Sequence, residues 1–225
     1  MSDSAPLVLT DDALEQEARR LLAAATASPG RFILGIAGIA GSGKSTLAQK
    51  VTALLNDPAP GSGGPDTAVF IPMDGFHLPN QVLIDRGWKS CKGAAHTYDA
   101  RAYIDLLARY ADPHQAGGFP VYCREVHEPI PGPGMVNDKT KIVVTEGQYL
   151  LLAEDPWNEL ADILTESWWL DVPAEKARAW LMKRDTSVGR TVAEAEAKYQ
   201  NNDRLNTEHV LTERRKPDRV ARWLE

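Results

Sequence analysis

Cysteine is scarce in this chain: two in 225 residues, Cys91 and Cys123, with no CxxC pair and no histidine spacing that suggests zinc. That scarcity argues against a disulfide framework or a cysteine-held metal cluster and points to a reducing compartment, read as the cytoplasm. Long apolar runs are missing too. No stretch approaches the roughly 20 residues that span a bilayer, and the opening MSDSAPLVLTDD lacks the basic-then-apolar order of an export signal. An excess of positive charge is the third absence. With 25 Lys and Arg against 31 Asp and Glu the formal net charge is −6, which disfavours general nucleic-acid or membrane-surface binding, since both reward a basic face.

What is present suits one α/β domain. A 43% hydrophobic content over 225 residues can build a sizeable core, and two ordinary domains would be a squeeze. Residues 11–27 have helical composition, with Leu14, Ala18, Leu21 and Leu22 on one face, Thr10 or Asp11 as cap and Ser28-Pro29-Gly30 as stop. Strands are expected at 31–37, 68–71, 141–145, 167–171 and 219–224. Helices are expected at 44–55, 99–110, 174–184 and 192–200, with further helix to 213. Residues 56–66, dense in Pro and Gly, read as a surface loop. This alternation predicts a three-layer α/β fold: a five-stranded parallel sheet, helices on both faces, and ligands at the C-terminal strand ends. No internal repeat or domain break is evident. Residues 1–30 read as a tail and helix packed on a domain that spans 31–225.

Residues 38–45 read GIAGSGKS, the phosphate-loop pattern, directly after the apolar run Phe32–Ala37. The context matters because a buried strand must deliver the loop and a helix must leave it. Gly38, Gly41 and Gly43 let the backbone bend so that successive N–H groups line one concavity, and the next helix makes that concavity more positive. Gly38, Ala40, Gly41, Ser42, Gly43, Lys44, Ser45 and Thr46 are therefore the expected ATP-binding residues. Lys44 adds a full charge for the outer phosphates and Ser45 a hydroxyl for Mg²⁺.

Phosphoryl transfer needs a phosphate cradle, a metal ligand, a proton acceptor and cations over the moving group. Glu146 closes the apolar run Ile142–Thr145 and suits Mg²⁺ opposite Ser45. Asp74 ends the second strand, and Gly75 after it admits close approach of another molecule, which suits a general base for a substrate hydroxyl. His77, three residues on, is placed to hydrogen-bond the acceptor. Arg178, Lys183, Arg184 and Arg190 surround a turn at Gly189, where a lid at about 184–200 would bring charge onto the transition state.

With these residues in hand the chain resembles the uridine kinase, phosphoribulokinase and bacterial type-I pantothenate kinase superfamily of phosphate-loop small-molecule kinases. It is most similar to the short branch of nucleoside/nucleotide or fructose-transport-associated sugar kinases. The segments that carry the resemblance are GIAGSGKST, MDGFHLPN, RGWKSCKGAAHTYD, FPVYCREVHEP, VVTEGQYLLL with DPW, WWLDVP, RAWLMKRDTSVGRT and NDRLN, across about residues 31–210. The resemblance implies an ATP-dependent kinase of a nucleoside, sugar or pantothenate-like alcohol. It also implies Asp74 as base, Lys44, Ser45 and Thr46 on phosphates and Mg²⁺, Glu146 supporting the metal, and Arg184 and Arg190 in the lid. Lys92, Tyr98, Arg124 and His127 then belong near the acceptor. Two positions depart from the pattern: relatives have Tyr-Asp-Arg where this chain has Tyr122-Cys123-Arg124, and Asn where it has Gln148. The uridine-kinase motif for base recognition is not evident, so the acceptor stays open.

The competing readings are a nucleotide-switch GTPase or regulatory ATPase and a silent nucleotide-binding scaffold. The first would want an NKxD motif, and Asn137-Asp138-Lys139-Thr140 has the wrong order. Six tryptophans, including the pair Trp168-Trp169, must also be placed. A core is their usual site and a homodimer interface the alternative.

Overall fold

A computed structural model describes residues 5–59 and 63–224. Its centre is a parallel sheet in which two neighbouring interior strands, β2 (Phe32–Ala37) and β6 (Ile142–Gly147), are buried at every position. Strands covered on both faces have no solvent face to alternate for, hence their continuous apolar runs. The remaining strands are β1 (Leu7–Leu9), β3 (Ala68–Pro72), β7 (Glu166–Leu170) and β8 (Arg219–Trp223), and the order is β1-β8-β7-β2-β6-β3. Every neighbouring pair is parallel.

The sheet thus has six strands rather than the five expected, because Leu7-Val8-Leu9, read as tail, pairs with Ala221-Arg222-Trp223. Three residues carry no usable periodicity. The strand exists because Leu9 is buried against the core beside β8, a contact between the two ends of the chain. The loop expected at 56–66 lies partly outside the described residues, as does the start of the expected tail.

Helix α1 (Asp11–Ala27) buries Leu14, Ala18, Leu21 and Ala25, and Thr10 Oγ1 caps it by accepting from Ala13 N at 3.1 Å. Helix α2 (Lys44–Leu55) buries Leu47, Ala48, Val51 and Leu55. The short α3 (Asn80–Asp85) precedes α4 (Ala100–Ala111), which Asp99 caps at Ala102 N, 3.0 Å away. After α5 (Leu160–Ile163) come α6 (Ala174–Ser187) and α7 (Val192–Lys198). The last helical stretch is interrupted by a π turn at Tyr199–Asp203 before α8 (Arg204–Glu213). No helix among the described residues is long and apolar enough to cross a membrane.

The antiparallel hairpin β4 (Gly117–Cys123) and β5 (Glu128–Val136) has no counterpart in the expected elements. Pro120, Pro129, Pro131 and Pro133 cannot donate to a ladder, which confines such strands to an edge and hides them from propensity. The hairpin presses on the turn Met73–Phe76: a Cβ on Gly75 would come within 2.2 Å of the Pro120 carbonyl oxygen. Gly75 therefore admits the chain's own hairpin.

Arg31 ties the bottom of the sheet together. It is 3% exposed, and its partners are all carbonyls: Nε donates to Thr140 O, Nη1 to Tyr110 O and Asp112 O, and Nη2 to Pro113 O and Asn137 O, at 2.8–3.2 Å. All five guanidinium donors are thus used on two segments, 110–113 at the end of α4 and 137–140 just before β6. Arg31→Met should lower unfolding free energy by about 3–5 kcal/mol, because it leaves buried acceptors unmet. Urea denaturation checks this, and a loss under about 1 kcal/mol would mean that water satisfies those carbonyls as well.

Candidate active site

The phosphate loop leaves β2 and enters α2 through two residues in the left-handed region, Gly41 (φ 77°) and Gly43 (φ 88°). A Cβ at Gly41 would lie 2.5 Å from the Leu181 side chain and 2.6 Å from the Ala177 carbonyl oxygen, so α6 packs directly on the loop. From the other side Trp223 Nε1 donates to Ser42 O at 3.2 Å, which makes the last strand a prop for the loop. Ser42 is fully buried, yet its Oγ has no hydrogen-bond partner. An orphaned hydroxyl inside a loop with two left-handed glycines is the cradle an oxyanion group would complete.

Lys44, 8% exposed, donates from Nζ to Ile39 O at 2.9 Å and so spans the loop from within. Burial lowers its pKa; Glu146 and Asp74 pull it back up, and Arg184 pushes it further down. Glu146, 4% exposed at the C-terminal end of β6, is pushed up to about 7, first by burial and then by the Asp74 charge. Lys44, the Ser45 hydroxyl and Arg124 act in the opposite direction. A buried carboxylate beside a hydroxyl offers oxygen donors that suit a hard divalent cation such as Mg²⁺.

Asp74 sits in the one-turn segment Met73–Phe76, just beyond β3. It is half-buried, and Tyr98 OH donates to its Oδ1 at 3.3 Å. His77 Nδ1 is 2.9 Å from the Asp74 carbonyl oxygen, which can only accept, so that nitrogen carries the hydrogen. Burial lowers the His77 pKa and keeps the ring neutral, leaving Nε2 as an acceptor. The rings of Tyr98 and Tyr122 flank His77 with centroids 4.0 and 5.1 Å away. Lys92 Nζ stands 5.1 Å over Tyr122 and donates to Asn80 Oδ1 at 2.9 Å and His127 O at 2.7 Å.

The expected acceptor residues Tyr98, His77 and Lys92 are thus brought together around Asp74. His127 contributes its carbonyl from a left-handed turn (φ 55°) while its side chain is exposed. Arg124 is exposed in the same hairpin turn, within electrostatic reach of Glu146. Gln148 is buried with its Nε2 unpartnered, and Cys123 ends β4 opposite Glu128. Of the arginines expected in or near a lid, Arg184 and Arg190 are exposed, whereas Arg178 is engaged with Glu196 at 2.5 Å. The expected ATP-binding residues Gly38, Ala40 and Thr46 frame the loop, Thr46 on its outer side.

Reading the residues in order missed a cleft of about 440 Å³ on that outer side, lined by Gly41, Gly43, Thr46, Lys176, Trp180, Trp223 and Leu224. Trp157, Trp168 and Trp169 fill the core, but Trp180 and Trp223 face this cleft. The signal was the surplus of tryptophans; their convergence needed β8 beside the loop.

A parallel sheet with a phosphate loop after β2 and a buried acid at the end of β6 defines a phosphate-loop kinase. The model described as Phosphoribulokinase / Uridine kinase family matches residues 33–209, and the chain belongs to that family. It is a small-molecule phosphotransferase. It is 30% identical over 203 residues to a Schizosaccharomyces pombe protein provisionally named a uridine kinase, covering 86% of this chain and 84% of that one. A pantothenate kinase of Streptococcus thermophilus is 29% identical over 177 residues, which are 76% of this chain and 53% of the relative. The chain therefore spans about half the length of that relative. Among solved structures, a Silicibacter sp. TM1040 protein provisionally named a fructose transport system kinase superposes with a TM-score of 0.82 at 30% identity, covering 94% of this chain and 98% of that one.

Proposed function

We propose that this chain transfers the γ-phosphoryl group of ATP to a hydroxyl of a small metabolite such as a nucleoside, a sugar or a pantothenate-like alcohol. The observation that carries this reading is electrostatic: the Lys44 ammonium feels the charges of Glu146, Asp74 and Arg184 at once. The donor-side cation, the metal-side acid, the acceptor-side base and the lid cation thus share one site. Gly38, Ala40, Gly41, Ser42 and Gly43 cradle the phosphates with Lys44 on the outer ones. Thr46, Lys176, Trp180 and Trp223 take ribose and base in the cleft beside the loop, where aromatic faces suit stacking. Ser45 and Glu146 hold Mg²⁺, which supplies charge neutralisation at the outer phosphates.

On the acceptor side Asp74 takes the hydroxyl proton, Tyr98 orients the Asp74 carboxylate, and His77 Nε2 accepts a hydrogen bond from a neighbouring hydroxyl. Lys92 closes the far wall, together with the hairpin turn that carries Arg124 and His127. Arg184 and Arg190 approach from the lid and exclude water as they close.

Two measurements test the reading. Calorimetry should show that Mg·ATP binds the wild type and binds Lys44→Ala at least about tenfold more weakly, since an ammonium facing phosphate is removed. ADP release across a panel of nucleosides, hexoses and pantothenate should then rise above background for one acceptor class. No heat with Mg·ATP, or equal heat in both proteins, would overturn the assignment.

A further inference from the structure

Lys92 lies on irregular chain between two single turns, Lys89–Cys91 and Ala95–Thr97. Its backbone is held from outside. Tyr149 OH donates to Gly93 O at 2.7 Å, and Asn202 Nδ2 donates to Lys92 O at 2.8 Å. Asn202 is 5% exposed, and Asn206 Nδ2 donates to its Oδ1 at 2.9 Å, which fixes which end of the amide gives and which accepts. It sits in the π turn Tyr199–Asp203, where an extra residue in the helix re-aims side chains.

The same turn reaches the lid. Asp203 Oδ2 is 3.2 Å from Lys198 Nζ, and Lys198 donates to Asp185 Oδ2 at 2.8 Å. Asp185, 6% exposed, accepts from Arg184 Nε at 3.4 Å. Polar contacts therefore run from the lid arginine through Asp185 and Lys198 to Asp203, and the backbone of the π turn joins Asp203 to Asn202, which holds the main chain of Lys92. The segment NDRLN at 202–206, which the nucleotide chemistry leaves without a task, supplies their terminus.

We infer that Asn202 is a positioning residue that couples the lid to the acceptor segment, so that nucleotide engaging Arg184 orders residues 89–97 before the acceptor arrives. This rests on the reading that the nucleotide phosphates meet the lid. Coupled sites shift one another's equilibria by about 5–150-fold, and a tenfold effect is expected here.

The test is amide hydrogen exchange with and without the magnesium complex of a non-hydrolysable ATP analogue. In the wild type the analogue should slow exchange at 38–46, at 184–198 and, about tenfold, at 89–97. Asn202→Ala should keep protection at the first two segments and lose it at the third. Asn206→Ala, which loosens Asn202 from a half-buried position and carries the test if Asn202→Ala fails to fold, should lose part of it. Protection at 89–97 that is absent in the wild type, or unchanged in both variants, would overturn the coupling. Faster exchange in Asn202→Ala without nucleotide, with the nucleotide-dependent slowing intact, would reduce Asn202 to a structural role and overturn it too. Absence of protection at 38–46 in the wild type would instead sink the nucleotide reading, and this inference with it.

Discussion

Asp74→Asn retains Mg·ATP binding and loses phosphoryl transfer by about 10³-fold, within the 10²–10⁴ that a positioned general base supplies. The asparagine is nearly isosteric, and its Oδ1 still accepts from Tyr98 OH as the carboxylate does at 3.3 Å. The His77 hydrogen bond is to the Asp74 main chain and survives the change, although His77 Nδ1 also lies 3.8 Å from Asp74 Oδ1. The fold and the acceptor wall are therefore preserved while the proton acceptor is gone. Removing this charge also relieves its repulsion of Glu146, where it ranks second after burial among the causes of the raised pKa. Nucleotide binding should then hold or improve slightly, so the loss appears in kcat with KM for ATP unchanged. Single-turnover transfer to the acceptor found in the panel measures it. A variant within tenfold of the wild-type kcat would remove Asp74 from the role of base.

Local signals and long-range contacts divided what could be read from the chain. The phosphate loop, β2, α1 and α2 were legible because each carries its own cause: an apolar run, a 3.6-residue face, a capping Thr10, glycines before a lysine. Asp74 and Glu146 were legible because strand ends in a parallel sheet share one edge. What stayed hidden lacks a local cause. β1 forms only because β8 offers it an edge, and the β4–β5 hairpin overrides four prolines by packing on the Met73–Phe76 turn. Trp180 and Trp223 lie 43 positions apart in sequence and meet only because β8 runs beside the phosphate loop. Asn202 was marked only by lying in the NDRLN segment; its placement against Lys92 O comes from a π turn that helix propensity cannot anticipate.

Glu146→Gln should move activity and stability in opposite directions. A carboxylate whose pKa is raised from 4.5 to about 7 by burial holds its proton more tightly in the folded state than in the unfolded one. Its stabilising contribution is full below about pH 4.5 and is lost as pH rises to about 7, because the folded protein must then ionise a buried group. Glutamine resembles the protonated form and never incurs that cost. In the absence of nucleotide the variant should match the wild type near pH 4.5, and its advantage should grow to roughly 3 kcal/mol by pH 8. Comparing melting temperatures at each pH cancels the titration of groups that do not interact with Glu146. Activity should fall about 10²-fold at pH 8, equivalent to about 2.7 kcal/mol, since the amide is a poorer metal ligand and no longer balances the Lys44 ammonium. The wild-type acid limb near pH 7 in kcat/KM for Mg·ATP should also flatten. Together these would mark Glu146 as a charge held ready at a folding cost, which active sites accept and cores do not. A variant less stable than the wild type from pH 5 to 8 would show instead that the ionised carboxylate is a net structural partner of Lys44.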